Sequence, residues 1–330
     1  MGDPPRLLGD LPEPDHRSGR AVRERAAQVL RPAGALDRLD RVAVWLAEWQ
    51  RTARPRVDAV AGLVFAADHG VAARGVSAYP SSVTAVMVGA MREGVATANV
   101  MASVLGIDLS VVDVGVGRPT GDITIEDALA PDRFVECWTA GSEAVAALDR
   151  PDLLVVGEMG IGNTTIAAAV CAALFGGAAD MWTGLGTGVD AAALERKRTA
   201  VDMARARVDG EPPLEILRRV GGAELVAIAG AVAEARARSV PVVLDGFVVS
   251  AASAVLEVAR PGALDHTLAG HCSAEPGHRL LLDKLGKLPL LDLGMRLGEA
   301  SGALAAVPLI KLAAASVTEV ATFDEWGISR

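Results

Sequence analysis

Two glutamates, one lysine and two Gly/Thr-rich stretches carry most of the chemistry that can be read from this chain. The stretch "GEMGIGNTT" (157–165) follows the apolar run "LLVV" and precedes the Ala-rich run "IAAAVCAAL". Gly160 and Gly162 remove side chains so that backbone N–H groups can approach a ligand, and Asn163, Thr164 and Thr165 open the next helix. A helix N-terminus offers orphan N–H donors and partial positive charge, which suits a phosphate. The Lys of a Walker A loop is missing and Glu158 sits near the start, so the stretch is neither that motif nor a full G-x-G-x-x-G. On residue types alone, a Gly-rich turn between strand and helix with a Thr cap explains it equally well.

A second stretch, "TGLGTGVD" (183–190), places Gly184, Gly186, Thr187 and Gly188 before the helical run "AAALERKRTAV", in which Lys197 and Arg198 supply cations. Lys197 could reach back as a compact charge for phosphate, or simply face solvent. In "LDLGMRLGEASGALAA" (291–306), Glu299 lies among small residues ahead of an apolar helix. There it can be a poorly hydrated general base, or a carboxylate favouring the helix dipole. In "FAADHGVAARGVSAYPSSVTAVMVGAM" (65–91), Asp68 and His69 fall at a strand end. That pair suits acid/base or metal chemistry, or a buried hydrogen-bonded pair that fixes the loop. The run from Tyr79 to Met87 can line a pocket for a flat apolar ligand. Asp245 in "LDGFVVSAAS" orients a sugar or loop, or caps a turn. His271, Cys272, Glu275 and His278 sit close together, but Pro276 and Gly277 break helical spacing and no second ligand pair with zinc spacing follows.

The elements that must position these residues repeat one grammar from about residue 60 onward: a β-branched run, a Gly-containing loop, an Ala-rich helix. This alternation predicts an α/β fold, a parallel sheet flanked by helices. Expected strands are 62–67, 108–116, 152–156, a weaker one at 179–183, and 240–246. Helical spacing marks 20–30 and 35–50, and a helix after Gly302 is expected to break or kink at Pro308. The expected division is an α/β core over 46–299 with the active site, and a small helical domain formed by 1–45 and 300–330.

Composition narrows the function classes. The 330 residues are 51% hydrophobic, but the longest uncharged run, 159–179, contains five residues of the Gly/Asn type and reads as loop plus buried helix rather than a membrane span. Net charge is −9 with no basic stripe, which argues against a nucleic-acid partner. The N-terminal run lacks an apolar signal-peptide region, and three widely spaced cysteines suit a reducing compartment, so the cytoplasm is expected.

Taken in order, "RPAGALDRLDRVAVWLAEWQ", "FAADHGVAARGVSAYPSSVTAVMV", "GEMGIGNTTIAAAV", "GLGTGVDAAALERKR", "DGFVVSAAS", "SAEPGHRLLLDKLG", "PLLDLGMRLGEASGA" and "EVATFDEWGI" resemble the nicotinate-nucleotide:dimethylbenzimidazole phosphoribosyltransferase family of cobamide nucleotide-loop assembly. The segments span nearly the whole chain. The resemblance implies a Rossmann-like sheet, a helical domain from both termini, a homodimer, no cofactor and no metal. It implies a pentosyltransferase that moves the 5-phosphoribosyl group of nicotinate mononucleotide to 5,6-dimethylbenzimidazole, yielding α-ribazole 5′-phosphate and nicotinate. Glu299 matches the family's catalytic Glu, and Glu158 a second one able to stabilise an oxocarbenium-like state. The turn from Gly160 to Thr165 with Lys197 would take the phosphate, and the loop 184–188 the nicotinate or ribose side. Ser77, Tyr79, Val86, Met87 and Leu297 would form the base pocket. Val86 stands where many relatives carry Gln, which keeps another lower-ligand base, adenine or a phenol, open as acceptor; a non-catalytic nucleotide-binding relative is the other alternative. Leu185 and Ala191 also replace charged residues common in the family.

Overall fold

In a computed structural model, which describes residue 9 and residues 11–186 and 188–328, five parallel strands form one sheet in the order β2-β1-β3-β4-β5. They are β1 (Val60–Ala67), β2 (Asp108–Gly115), β3 (Leu153–Met159), β4 (Val242–Leu244) and β5 (Thr267–Ala269). Alternate side chains of one strand face opposite layers, so a sheet buried on both faces needs continuous apolar runs. On one face Leu63, Phe65, Leu154, Val156, Val242 and Leu244 pack against the helices Pro131–Ala146, Asn163–Phe175, Ala223–Ala237 and Phe247–Ala259. On the other, Val64, Leu153, Val155 and Val243 meet the helices Asp37–Gln50, Thr97–Leu105 and Ser301–Thr318.

The order reverses beside β1, because the chain places β2 on one side of it and then β3 on the other. Such a switch point leaves a crevice at the carboxyl ends of the two central strands, where open α/β sheets bind ligands. Here those ends carry Asp68 and His69 after β1 and Glu158 in β3, with Phe65 in register with Glu158.

Several expectations need correction. Residues Ala179–Trp182 form one helical turn, not a strand. Its sequence has no β-branched residue, and Trp182 is buried by stacking on Phe175 and donating from Nε1 to the Gly176 carbonyl at 2.8 Å. The strand β5 was not anticipated: three residues with one β-branched side chain carry too little pattern, and pairing with β4 defines it. The first helix starts at His16, ahead of the expected 20, because the Asp15 carboxylate accepts from the Arg17 and Ser18 amides at 3.1 and 3.4 Å. The last helix runs through Pro308 from Ser301 to Thr318.

That helix is the one described element long and apolar enough to cross a membrane, yet it packs on the sheet and on Asp37–Gln50 as a core helix does. The run 159–179 is the expected loop followed by the buried helix Asn163–Phe175. The terminal helices also meet through Val22, Ala43, Val44, Ala47 and Val317.

The helices Pro131–Ala146 and Ala223–Ala237 approach so closely that a Cβ on Gly141 would overlap the Ala227 carbonyl. Gly141→Ala should therefore destabilise the protein by about 1–3 kcal/mol through overpacking. Gly89→Ala, in a helix with open space at that position, should instead be neutral or stabilising by up to about 1 kcal/mol. Thermal melts of the two variants check this, and equal melting temperatures would contradict it.

Candidate active site

Strand β3 delivers Glu158 to the crevice, and the chain then turns tightly through Gly160 and Gly162, the latter at φ 95°. Asn163 Nδ2 donates across the turn to Glu158 Oε2. Ile161 N donates to Thr84 Oγ1 at 3.3 Å, tying the turn to the helix Val83–Arg92. The amides of Asn163 and Thr165 bond back to the carbonyls of Gly160 and Gly162 at 3.2 and 3.0 Å. Three of the turn's amides are thus engaged within the protein, while the buried Thr165 Oγ1 has no partner among the described residues.

Glu299 arrives from the other end of the chain on a strap held against β3. Gly298, Glu299 and Ala300 all have left-handed backbone, at φ 82°, 62° and 69°. For the two non-glycine residues this conformation costs of order 1–3 kcal/mol each, so the surroundings must enforce it. The Glu299 amide donates to the Glu158 carbonyl at 3.0 Å, and Ser301 N to the Gly298 carbonyl at 3.0 Å. A Cβ on Gly157 would overlap the Ala300 amide nitrogen, so the strap lies directly on β3. Beyond β4, Asp245 Oδ1 accepts from the Gly302 and Ala303 amides at 2.8 and 2.9 Å and caps the helix that begins there. His271 Nε2 stands 3.6 Å from the same oxygen. Asp245 therefore holds the strap, as the loop-orienting reading of its position has it, and does not cap its own turn, since the helix Phe247–Ala259 has no side-chain cap.

The electrostatics follow from burial. Glu158, half-buried, is pushed up to about 8, first by desolvation, then by the charges of Asp245 and Glu224; Asn163 opposes this and Glu299 adds to it. Glu299 is 2% exposed. Burial raises its pKa, the Ala98 amide at the start of Thr97–Leu105 partly offsets that, and Asp245 adds to the rise. Glu299 Oε2 is buried without a hydrogen-bond partner among the described residues. Asp245 is raised as well, by burial over the opposing effect of His271 and its amide donors. Neither Glu158 nor Glu299 is ion-paired with a Lys or Arg among the described residues. Carboxyls raised in this way ionise more readily when a cation lies beside them.

Lys197 is 1% exposed, against the reading of it as a solvated surface residue. Its Nζ donates to Thr164 Oγ1 at 3.0 Å and to the Gly184 carbonyl at 2.9 Å, which joins the two Gly/Thr loops around one cation. Burial lowers its pKa and Glu275 opposes that. Glu275 Oε1 accepts from Gly186 N at 2.8 Å. Gly188 has φ 116°, and Thr187 lies outside the described residues.

His278 is structural. Its Nδ1 accepts from the Ser273 amide at 2.9 Å, Nε2 meets Ser250 Oγ at 3.0 Å, and burial depresses it to about 3. Among the described residues no three His, Cys, Asp or Glu side chains are grouped to hold a metal ion. The base-pocket residues are only partly gathered. Met87 packs towards the sheet and Ser77 Oγ accepts from Tyr79 N at 3.3 Å. Tyr79, Val86 and Leu297 stand 52, 67 and 45% exposed. Asp68 Oδ2 takes the Gly117 amide at 2.8 Å, while His69 pairs with Glu224 at 2.7 Å rather than with Asp68. Thr84, Ala98 and Glu224 were missed: each acts through position alone, and no local pattern marks it.

The family model described as a phosphoribosyltransferase, DBI_PRT, matches residues 11–328. The chain belongs to this phosphoribosyltransferase family. It is 49% identical over 321 residues to the nicotinate-nucleotide–dimethylbenzimidazole phosphoribosyltransferase of Cereibacter sphaeroides, covering 97% of this chain and 94% of the relative. The enzyme of the same name from Methylorubrum extorquens is also 49% identical, over 96% and 93% of the two chains. The crystal structure of CobT from Thermus thermophilus superposes with a TM-score of 0.91 at 43% identity, covering 95% of this phosphoribosyltransferase and 99% of that chain.

Glu158→Gln keeps an oxygen for Asn163 and removes the charge. The folded Glu158 holds its proton up to about 8, whereas an ordinary Glu loses it near 4.5, so between those values the native state binds more protons than the unfolded chain. Wild-type stability must then fall as pH rises through that window. The variant should melt above the wild type by a margin that grows from pH about 5 to about 8. A margin independent of pH would contradict the raised pKa.

Proposed function

We propose that this phosphoribosyltransferase moves the 5-phosphoribosyl group of nicotinate mononucleotide to 5,6-dimethylbenzimidazole, giving α-ribazole 5′-phosphate and nicotinate. The relatives' names supply the substrate pair. The observation that carries the chemistry is Glu299: a buried carboxylate, held on one side by the Ala98 amide, whose Oε2 has no partner among the described residues.

In this reading one nitrogen of the benzimidazole attacks C1′ of the ribose. The C1′–N bond to nicotinate breaks, and its electron pair returns to the ring, neutralising the pyridinium. The proton on the other benzimidazole nitrogen passes to Glu299 Oε2, a general base whose affinity for that proton is raised by burial. Inversion to the α product places the incoming base and the leaving nicotinate on opposite faces of the sugar. The transition state gathers positive charge on the ribose. Glu158, desolvated and surrounded by carboxylates, is the group to stabilise it; a cation beside it favours its ionised form.

The phosphate is assigned to the turn at Gly160 to Thr165 with Lys197. Two of the three Nζ donors of Lys197 go to Thr164 and Gly184, and the third supports a contact to an anion. The loop from Gly184 to Gly188 would border nicotinate or ribose, and Ser77, Tyr79, Val86, Met87 and Leu297 the acceptor base. A homodimer in the cytoplasm belongs to the same reading. Cys137, Cys171 and Cys272 are free and buried, which suits a reducing compartment. Val100 and Val104, one helical turn apart, offer exposed apolar surface to a second copy.

Nicotinate mononucleotide supplied with equal amounts of 5,6-dimethylbenzimidazole, adenine and phenol should yield mainly the dimethylbenzimidazole riboside phosphate by mass spectrometry. A dominant adenine or phenol product would move the acceptor class. Under the same conditions Glu299→Gln should turn over at least ~10²-fold more slowly, the low end for loss of a general base. Unchanged turnover would remove Glu299 from that role.

A further inference from the structure

One buried pair has no part in the chemistry described so far. His69 Nε2 and Glu224 Oε1 lie 2.7 Å apart with both side chains fully buried. That distance requires a shared proton between them. His69 Nδ1 and Glu224 Oε2 have no partner among the described residues, so each side chain spends one polar atom on the other and leaves one buried and unpaired. Burying two such groups is costly unless further hydrogen bonds satisfy their remaining atoms, and here two of those atoms have no partner among the described residues.

What the pair touches is the turn after β3. A Cβ on Gly160 would lie 2.9 Å from His69 Nε2, 3.0 Å from Glu224 Oε1 and 2.8 Å from the Ala67 carbonyl. Gly160 therefore rests on the pair with no room for a side chain. Two residues back along the strand is Glu158. Three residues onward is Asn163, whose amide holds the Glu158 carboxyl. Any shift of Gly160 moves both ends of that bond.

We propose that the His69–Glu224 pair is a positioning element of this site, a buried strut that fixes the Gly160 turn and so sets the place of the Glu158 carboxyl. It rests on the assignment of Glu158 to the transition state. Through space Glu224 also adds negative charge at Glu158. The groups facing Glu158 are Asp245 beyond β4, Glu299 from the strap, Glu224 from Ala223–Ala237 and the Asn163 amide; His69, beyond β1, reaches it through Glu224. Glu224 is the carboxylate of this set that is bonded to a histidine at hydrogen-bonding distance, and its charge is the part of the set that a mutation outside the crevice can remove.

Two variants separate this role from plain stability, each checked for folding by thermal melting. Glu224→Gln keeps an oxygen for His69 and deletes the charge. The carboxyl infrared band that is absent from Glu158→Gln should then titrate at lower pH than in the wild type. His69→Ala removes the strut, and kcat should fall ~10-fold or more, as misplacement of a reacting group does, with KM for nicotinate mononucleotide changed less than about twofold. His69→Asn, which restores a donor, should recover part of kcat. Normal turnover by Glu158→Gln would sink the role given to Glu158, while the infrared titration still decides the coupling. An unmoved Glu158 titration in Glu224→Gln, or a kcat in His69→Ala that falls only with the folded fraction, would overturn the proposal.

Discussion

The contact between the strap at 298–303 and the end of β3 is the constraint on which the site depends. Gly157 leaves no gap above the Ala300 amide, and the Glu299 amide donates to the Glu158 carbonyl. Two glutamates 141 positions apart in sequence (299 minus 158) are thereby placed on one backbone hydrogen bond. Holding Glu299 and Ala300 in left-handed backbone opposes that arrangement. Asp245 opposes the strain in turn: its two amide bonds at the start of Ser301–Thr318 anchor the strap from the far side. The strained segment sits where the chemistry is proposed, and the core helix behind it keeps it there.

The same convergence explains the electrostatics. Glu158, Glu299 and Asp245 are each raised chiefly by desolvation; Asp245 adds to the rise at both glutamates, and Glu299 adds to it at Glu158. A pocket built in this way is poorly matched to its own ionised state and well matched to a cation. In the proposed reaction a pyridinium nucleotide would present a cationic leaving group and then a cationic sugar, and stabilisation by these carboxylates would be greatest there. Lys197 is drawn out of solvent onto Thr164 and Gly184, and the carboxylate that acts on it is Glu275.

Much of this was legible in the sequence, for a physical reason in each case. Apolar runs followed by glycine predict parallel strands, and β1, β2, β3 and β4 are where those runs are, with β2 at the sheet edge and only partly buried. The Gly/Thr loops and Glu299 stand out because small residues beside a carboxylate are unusual. Other features have no local signature. The strand β5 exists by virtue of its neighbour, and Ala179–Trp182 coils because Trp182 packs on Phe175. Thr84, Ala98 and Glu224 reach the site from helices that look ordinary in sequence. Lys197 reads as a surface cation because its helix also carries Glu195, Arg196 and Arg198, and only the fold turns it inward.

The most direct test of the strap contact is the steady-state kinetics of Gly157→Ala. The added methyl would push Ala300 and Glu299 away from β3 while deleting no ionisable group. With a folded protein, the account predicts that kcat falls ~10²-fold, the scale of an ångström's misplacement, while KM for nicotinate mononucleotide stays close to the wild-type value. A kcat within about twofold of wild type would contradict the claim that this contact assembles the site.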